Sequence, residues 1–525
     1  MDPVRDPIAV VGLGCVLPDA FDVASFWERA RRGVTSIRPL AGETWQWARY
    51  LDATGRDADR AVSTLGAQVL GWRFDWRRFR VPPADAAAVN ALQWMVLDAG
   101  AQALSSVKRV PKETTGLFLG ATGLGWQRDT GLRIHLGEAV DAVHASPAFR
   151  ALPASLQRAV VDGMKRELDL RLKPVSDDNV VGAAASVALG RIAMHFDLHG
   201  LHYAVDAGFA SALAAVDVGV RALRDRTLDA AVVGGVSEMI TPLELVAFSR
   251  LGGIAKTHVA PFCASAEGTL LGEGTAIFVL KRLDDALRDG DTVHAVIRGV
   301  GGASDGKGKS VMAPRHEGQT LAMSRACDDA CVDPSTLSFV ECHATGTPVG
   351  DVSEVHALAN LVSSSSSSSS SLGAKRVWLG SAKAQVGHLR AGAGAVALLR
   401  ATLAVRERVM PKQIGVERPN PLLELERTPF ALPLEEQALT SSSSSSSGAI
   451  VAGVSAFGFG GNNFHAVIES APSARTSVAV PRSAPVAAKD PIAIVGMGGV
   501  FPTGATIASF WQSLLSSTDA TRTIP

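Results

Sequence analysis

The sequence predicts an α/β protein, on three observations. Short strands rich in Val, Ala and Gly alternate along the chain with amphipathic helices, the pattern of a sheet layered with helices. Apolar residues make up 47% of the chain and aromatic residues 6%, so the core is built from Ala, Val, Leu and Gly, as buried parallel strands and close helix packing require. At 525 residues there is enough chain for two or more domains, or for one large duplicated fold with an extensive core.

Along the chain, strands are predicted at Ile8–Gly12, Thr115–Leu119, Ala230–Gly234, Arg376–Leu379 and Ala449–Val454, all short Val/Ala/Gly-rich runs. Helical spacing of apolar residues predicts helices over Gly318–Ala330 and Asp351–Val362. In 205-VDAGFASALAAVDVGVRAL-223 an extended run meets an alanine-rich helix through a tight turn built from Asp206, Ala207 and Gly208. The serine tracts Ser363–Ser371 and Ser441–Ser447 cannot pack a core and are expected as mobile surface loops. The segment 6-DPIAVVGLGCVLPDAFDVASFW-27 recurs without a gap as 490-DPIAIVGMGGVFPTGATIASFW-511. A second homologous domain is therefore expected to start within 489–525, behind a Pro-, Ala- and Ser-rich linker at 471–488.

Lys+Arg and Asp+Glu balance at 51 each, so no global field draws the chain to nucleic acid or to an anionic membrane. The apolar stretch Val180 to Gly190 is too short to cross a bilayer, and Asp2 and Asp6 stand where a signal peptide would be positive, which together point to a cytoplasmic protein without a membrane span. Five cysteines, Cys15, Cys263, Cys327, Cys331 and Cys342, are too few and irregular for a disulfide framework. Cys327 and Cys331 share a helix face at i, i+4, but two ligands do not make a zinc site, so no metal is expected and the thiols read as buried and structural.

Chemistry concentrates at four places. A helix N-terminus offers free N–H groups and a positive partial charge that stabilise a thiolate or an oxyanion, which is why acyl-transfer enzymes mount nucleophiles on strand-to-helix turns. Here that position carries Phe209, whose ring cannot hold an acyl group. Three histidine-bearing motifs follow: 340-VECHATGTPVGD-351, 380-GSAKAQVGHLRAGAGAVALLRA-401 and 453-GVSAFGFGGNNFHAVIES-470, the last with a glycine-rich turn that lets backbone approach a ligand. Two imidazoles and an ammonium converging on one acyl site can polarise a thioester carbonyl and stabilise an enolate.

With these motifs, 7-PIAVVGLGCVLP-18 and 261-PFCASAEGTLLGEGTAIFVLKRL-283, residues 5–470 resemble a β-ketoacyl synthase of the polyketide and polyunsaturated fatty acid synthase type. The resemblance implies a thiolase-like fold, two βαβαβαββ halves at 5–275 and 276–470 in a five-layered α-β-α-β-α arrangement, normally paired as a dimer or pseudo-dimer. It implies an acyl carrier protein as partner, whose phosphopantetheine arm presents the substrate, and no cofactor bound by the domain itself. It puts the acyl-accepting cysteine at Phe209, the catalytic histidines at His343 and His388, the active-site lysine at Lys383, and the gating and oxyanion loop at Phe457, Gly458, Phe459 and Gly460, with Phe457 as the gate. The departures from the family pattern are Phe209, Gly208, Ala212, Cys263 at a usual Asp, Arg390 at a usual acidic residue and Asn462 at a usual Thr.

The stretch 299-GVGGASDGKGKSVMAPRHEGQ-319 and the tandem repeat resemble polyunsaturated fatty acid synthases, in which a synthase domain precedes a chain-length-factor-like domain. Three functions follow from the missing thiol. The domain fails to condense alone and keeps a malonyl decarboxylase-like activity; or it is a non-catalytic, chain-length-factor-like pseudo-subunit that pairs with an active synthase; or it condenses through Cys342. Adjacent strand residues face opposite ways, so Cys342 faces away if His343 faces the pocket. The basic aromatic run 72-WRFDWRRFRVPP-83 is either a dock for the acidic carrier protein or a solvated face with its rings anchored inward.

Overall fold

The structure, a computed structural model, describes residues 6–42, 45–122, 131, 133–172, 175–237, 239–308, 310–364, 376–441, 448–472, 491–502 and 504–523. It divides into two compact units, Met1–Thr476 and Ser477–Pro525.

The large unit is built on eleven strands: β1 Ile8–Val16, β2 Thr115–Gly120, β3 His202–Val205, β4 Ala230–Ser237, β5 Gly274–Arg282, β6 Ala295–Ser304, β7 Phe339–Glu341, β8 Val377–Gly380, β9 Phe430–Ala431, β10 Val451–Gly458 and β11 Asn462–Glu469. Their order is β9-β8-β7-β10-β11-β6-β1-β5-β4-β2-β3. This row is one pattern used twice. In β3-β2-β4-β5-β1 the first three strands are parallel and the last two join antiparallel. In β8-β7-β10-β11-β6 the same relations recur in the same chain order, with β9 added at the edge. The two halves are joined where Ile8–Val10 of β1 also pairs with β6.

Helices complete the duplication: α1 Ala91–Ser105, α2 Ala185–Phe196 and α3 Ser211–Arg224 follow β1, β2 and β3; α4 Pro242–Arg250 lies between β4 and β5. In the second half α5 His316–Ala330 and α6 Gly350–Ser363 follow β6 and β7, and the short α7 Lys383–Val386 and long α8 Ala393–Glu407 follow β8. α1 and α2 cover the outer face of the first half and α5 and α6 flank the second, while α3 and α8 touch each other and strands of both halves. The layers are therefore α-β-α-β-α. Burial follows from this: all nine residues of β1 are buried, and α8 is buried from Ala393 to Val405, as a helix covered on every side must be.

The strand β5 spans the expected division between residues 275 and 276, yet it pairs with β4 and β1 along its whole length. The halves consequently meet after Arg282. β1 runs on to Val16 because pairing with β5 continues to Val16 opposite Thr275. Cys331 departs from the expected helix face: α5 ends at Ala330, and Cys331 caps it in the left-handed conformation (φ 51°) with its thiol exposed. Ser363 closes α6 and Ser364 caps it. The rest of that tract from 365, residues 442–447 of the second, and 473–488 of the expected linker lie outside the described residues. Among the described residues no helix is long and apolar enough to cross a membrane.

In the small unit a helix, Ile507–Leu515, starts at a Thr506/Ser509 capping box, and Phe501 stacks on Phe510 with ring centroids 4.0 Å apart. The stretch 491–500 repeats the sequence of β1 but forms no strand, and its apolar side chains Ile492, Ile494 and Val495 are exposed.

β2 ends at Gly120, where a Cβ would fall 2.3 Å from the Ala212 nitrogen, so only glycine lets the start of α3 rest on the end of the sheet. Gly120→Ala is expected to lower stability by about 1–3 kcal/mol, the cost of overpacking. It will appear as a lower denaturant midpoint at unchanged slope; an unshifted midpoint would mean that α3 can retreat from the sheet.

Candidate active site

The strand-to-helix turn forms where the sequence predicts it, and its polar side chains close it. After β3, Asp206 Oδ1 accepts the Gly208 N–H (2.9 Å), Gly208 turns the chain in the left-handed region (φ 60°), and Ser211 Oγ accepts the Ala207 N–H (2.9 Å). Phe209 is thereby held at the N-terminus of α3. The three-residue hairpin turn between β10 and β11 packs against it: a Cβ on Gly458 would lie 2.5 Å from the Ala207 oxygen and 2.9 Å from the Phe209 nitrogen. The Phe209 ring meets Phe459 (centroids 4.6 Å), the edge of His388 (4.8 Å) and Phe248 of α4 (5.9 Å). The ring is half-buried, less so than the apolar pattern of this stretch implies.

His343 follows β7. Its backbone N–H donates to Glu354 Oε1 and that of Ala344 to Oε2 (both 2.8 Å), so one carboxylate of α6 grips the loop on both sides of the imidazole. Lys383 Nζ donates to the His343 carbonyl oxygen from beneath. His388 lies between α7 and α8; its backbone N–H donates to the Leu270 oxygen (2.7 Å), and its Nδ1 accepts the Arg390 N–H (2.9 Å). A neutral ring with Nδ1 accepting carries its proton on Nε2. Among the described residues neither His388 Nε2 nor His343 Nδ1 has a hydrogen-bond partner.

Both imidazoles are held well below the usual histidine range, by burial first and then by the Lys383 ammonium, with Arg390 adding to the effect on His388. Both rings are therefore uncharged at pH 7. Burial also lowers Lys383 to about 8, against the pull of Glu354, Glu341 and Asp351, and raises Asp351 to about 7. Beneath the site Glu341 and Arg400 form a fully buried ion pair.

The rings of His343 and His388 stand 5.5 Å apart and line, with Phe209, Phe248 and Phe459, a pocket of about 350 Å³. Lys383 does not line it; the lysine acts on His343 through the backbone. Cys342 does not line it either. Its buried Sγ donates to the Val340 oxygen (3.7 Å), and burial, then Glu354, pushes it far above the usual thiol range. That removes Cys342 as a nucleophile for this pocket.

The expected gate needs a correction. Phe457 is 8% exposed and packed on His343 (5.6 Å), inside the β10–β11 ladder opposite Asn463. Phe459, 40% exposed, sits in the hairpin turn followed by Gly460 and Gly461, both at positive φ, and is the ring at the mouth. Glu354, Phe248 and the Arg390–Glu244 contact were missed in the sequence. The one local hint was the acidic pair Asp351 and Glu354, spaced i, i+3 on the buried face of an otherwise apolar helix.

In the run 72–83 the rings are anchored inward and the cations are exposed. Phe74 stacks between Phe79 (5.1 Å) and Trp94 (4.5 Å), anchoring the segment to α1. Arg73, Arg77, Arg78 and Arg80 are exposed; Arg78 reaches Asp98 (3.4 Å) and Arg77 lies over Trp76. Among the described residues no group of His, Cys, Asp or Glu is arranged to hold a metal ion.

Comparison with known proteins names the class that this fold and site define. The family model of the β-ketoacyl synthase N-terminal domain matches residues 5–286 and again 489–525, and that of the C-terminal domain matches 294–417. The chain belongs to the β-ketoacyl synthase family. It is 32% identical over 480 residues to a polyunsaturated fatty acid synthase of Thraustochytrium sp., a match covering 88% of this chain and 16% of that protein. It is 31% identical over 471 residues to a phenolphthiocerol/phthiocerol polyketide synthase of Mycobacterium tuberculosis, covering 89% of this chain and 28% of that protein. The chain thus spans under a third of the length of these relatives. Among solved structures it is similar to the oxazolomycin ketosynthase domain OzmH KS7 of Streptomyces albus (TM-score 0.76, 26% identity, 90% of this chain and 75% of that one). It shares its fold with the ketosynthase from module 6 of the bacillaene synthase of Bacillus subtilis (TM-score 0.72, 24% identity, 89% and 72%). The fold is thiolase-like.

Breaking the buried pair under the site tests how far it depends on its floor. Arg400→Met leaves Glu341 buried without its cation and is expected to cost about 3–5 kcal/mol. Pairing it with Glu341→Gln, so that no charge is stranded, should return most of that loss in a denaturant titration; a double variant as unstable as the single one would contradict this electrostatic account.

Proposed function

We propose that this domain accepts a malonyl-type thioester from an acyl carrier protein and decarboxylates it without condensing it, as one domain of a multidomain polyketide or polyunsaturated fatty acid synthase. One observation carries the reading: the turn on which the family mounts its acyl-accepting cysteine bears Phe209, while two neutral imidazoles flank the same pocket. Condensation passes through an acyl-enzyme, which needs a thiol at that turn. Decarboxylation needs only stabilisation of charge. The bond between the substrate carboxylate and its α-carbon breaks, carbon dioxide leaves, and the electron pair moves into the thioester enolate. The N–H groups of His343 and His388 stabilise the enolate oxygen, and water supplies the proton that makes an acetyl thioester.

The domain binds no cofactor of its own in this reading; the phosphopantetheine arm carries the substrate. The exposed Arg73, Arg77, Arg78 and Arg80, on a segment stiffened by stacked rings, support docking of an acidic carrier. Pairing with a second ketosynthase-like domain is supported by the edge strand β3, where Tyr203 is exposed, as is Leu201 just before it. The start of such a domain within 489–525 is supported by its family match, and by apolar residues that are buried in β1 but exposed in the repeat. A second reading, a non-catalytic chain-length-factor-like protein, is favoured by the ring cluster Phe209–Phe248–Phe459, which occupies acyl-binding room.

Incubation with malonyl carrier protein should release carbon dioxide and yield acetyl carrier protein, with no acyl adduct on the domain by intact mass. His343→Ala should slow release by about a hundredfold or more, the scale of losing one oxyanion donor. An adduct on the protein refutes the reading, and absence of any turnover favours the non-catalytic role.

Phe209→Cys should acquire a stoichiometric acyl adduct at residue 209 from acyl-thioesters, and recover acylation more readily than condensation. Because the ring is half-buried, its loss should cost less than the roughly 2–3 kcal/mol of a fully buried phenyl group. A folded variant that binds carrier protein and never acylates would mean the site has decayed beyond its nucleophile.

A further inference from the structure

Arg390 is buried and non-glycine, yet its backbone is left-handed (φ 48°), a region that L side chains rarely adopt. That backbone aims its N–H at His388 Nδ1 (2.9 Å). The side chain is tied on the other side: Nη1 forms an ion pair with Glu244 Oε1 (2.8 Å) outside hydrogen-bond geometry, and Nη2 donates to Ser237 Oγ at 2.6 Å. Glu244 sits in the first turn of α4, where it completes a capping box with Thr241. One turn further on, α4 carries Phe248, which stacks on Phe209, whose ring meets the edge of His388. Ser237 ends β4 and donates to the Gly272 oxygen (2.9 Å), and the Gly272 N–H donates to the His388 oxygen (3.0 Å). The guanidinium therefore closes a ring of contacts that runs from His388 through Arg390, Glu244, Phe248 and Phe209 back to His388.

Stability alone is a poor reason for such a pair, because desolvating two charges offsets most of their attraction. Geometry is a better one, since the planar fork of arginine fixes two partners at once where lysine or glutamine would not. We propose that Arg390, through its ion pair with Glu244, is a positioning residue that holds His388 as the Nε2–H donor at a set distance from the Phe248 wall. The proposal rests on the reading of His388 as a donor to the substrate oxygen. The titratable and charged groups facing that imidazole are Lys383, Arg390 and His343.

Side-chain nitrogen spectra of ¹⁵N-histidine-labelled protein test it without relying on turnover, with His388 assigned through its loss in His388→Gln. The native spectrum should show His388 protonated on Nε2. Arg390→Gln and, separately, Glu244→Gln should turn it into a mixture of both tautomers while the His343 signals stay in place, and the swap R390E/E244R should restore the native pattern. With malonyl carrier protein, kcat in Arg390→Gln should fall by about ten- to a hundredfold at nearly constant KM, the signature of a misaimed group. A native ring protonated on Nδ1, or a His388 signal unchanged in both single variants, overturns the proposal. So does failure of both variants to fold, since the pair would then be holding the scaffold. A native protein that turns nothing over defeats the decarboxylation reading and leaves the spectroscopic result to stand by itself.

Discussion

The close approach of the two central helices is the constraint on which the site depends. α3 and α8 meet at their N-terminal ends, where Gly394 packs on Leu213, and where Gly235 at the end of β4 lies against Ala212 and Gly392. Phe209 of the pocket just precedes the N-terminus of α3 and His388 that of α8, and a helix N-terminus carries a positive partial charge. A cation is disfavoured there and an oxyanion favoured. His343 and His388 are kept neutral by burial first and then by Lys383 beneath them. A bulkier contact between the helices would separate the imidazole of one half from the turn of the other.

Charge is kept one layer below the chemistry. Glu341 and Arg400 neutralise each other in the floor, Lys383 bonds to a backbone carbonyl, and Glu354 spends both oxygens on backbone N–H groups. The pocket wall sets aromatic rings and the two uncharged imidazoles beside polar side chains, among them Asp305, Glu354, Gln319 and Asn463. In a site of low polarity a fixed N–H group acts strongly on developing negative charge, because it need not reorganise as the charge forms. Neither Glu341 nor Arg400 lines the pocket.

Duplication explains why one site arises from two similar halves, and departure from it explains why the halves differ in role. In both, the connection after the third strand leads into a central helix: β3 into α3 with Phe209, β8 into α8 with His388. The connection after the second strand supplies His343 in the second half, while in the first it leaves the sheet at Gly120, whose lack of a side chain admits α3. The second half thus carries the donors, and the first carries the platform that Phe209 occupies.

The sequence by itself determined the α/β class, the positions of five of the eleven sheet strands, the turn at Asp206–Gly208 and the two histidine loops, because each depends on apolar periodicity or on turn chemistry within a few residues. Its expectation that Cys342 faces away if His343 faces the pocket rested on strand alternation, whereas the strand ends at Glu341, before both residues. Tertiary structure decided the rest. Phe457 and Phe459 have the same parity in the sequence, and only the pairing of β10 with β11 buries one in the ladder and leaves the other in the turn. β5 belongs to the first half because of the strands beside it, not because of its own composition. The ammonium of Lys383 meets a carbonyl and not the pocket, and Arg390 meets Glu244, because distant segments are packed against each other at fixed distances. Local patterns record which way a side chain faces; what it faces is set by elements far away in the chain, and that is where this site acquires its aim.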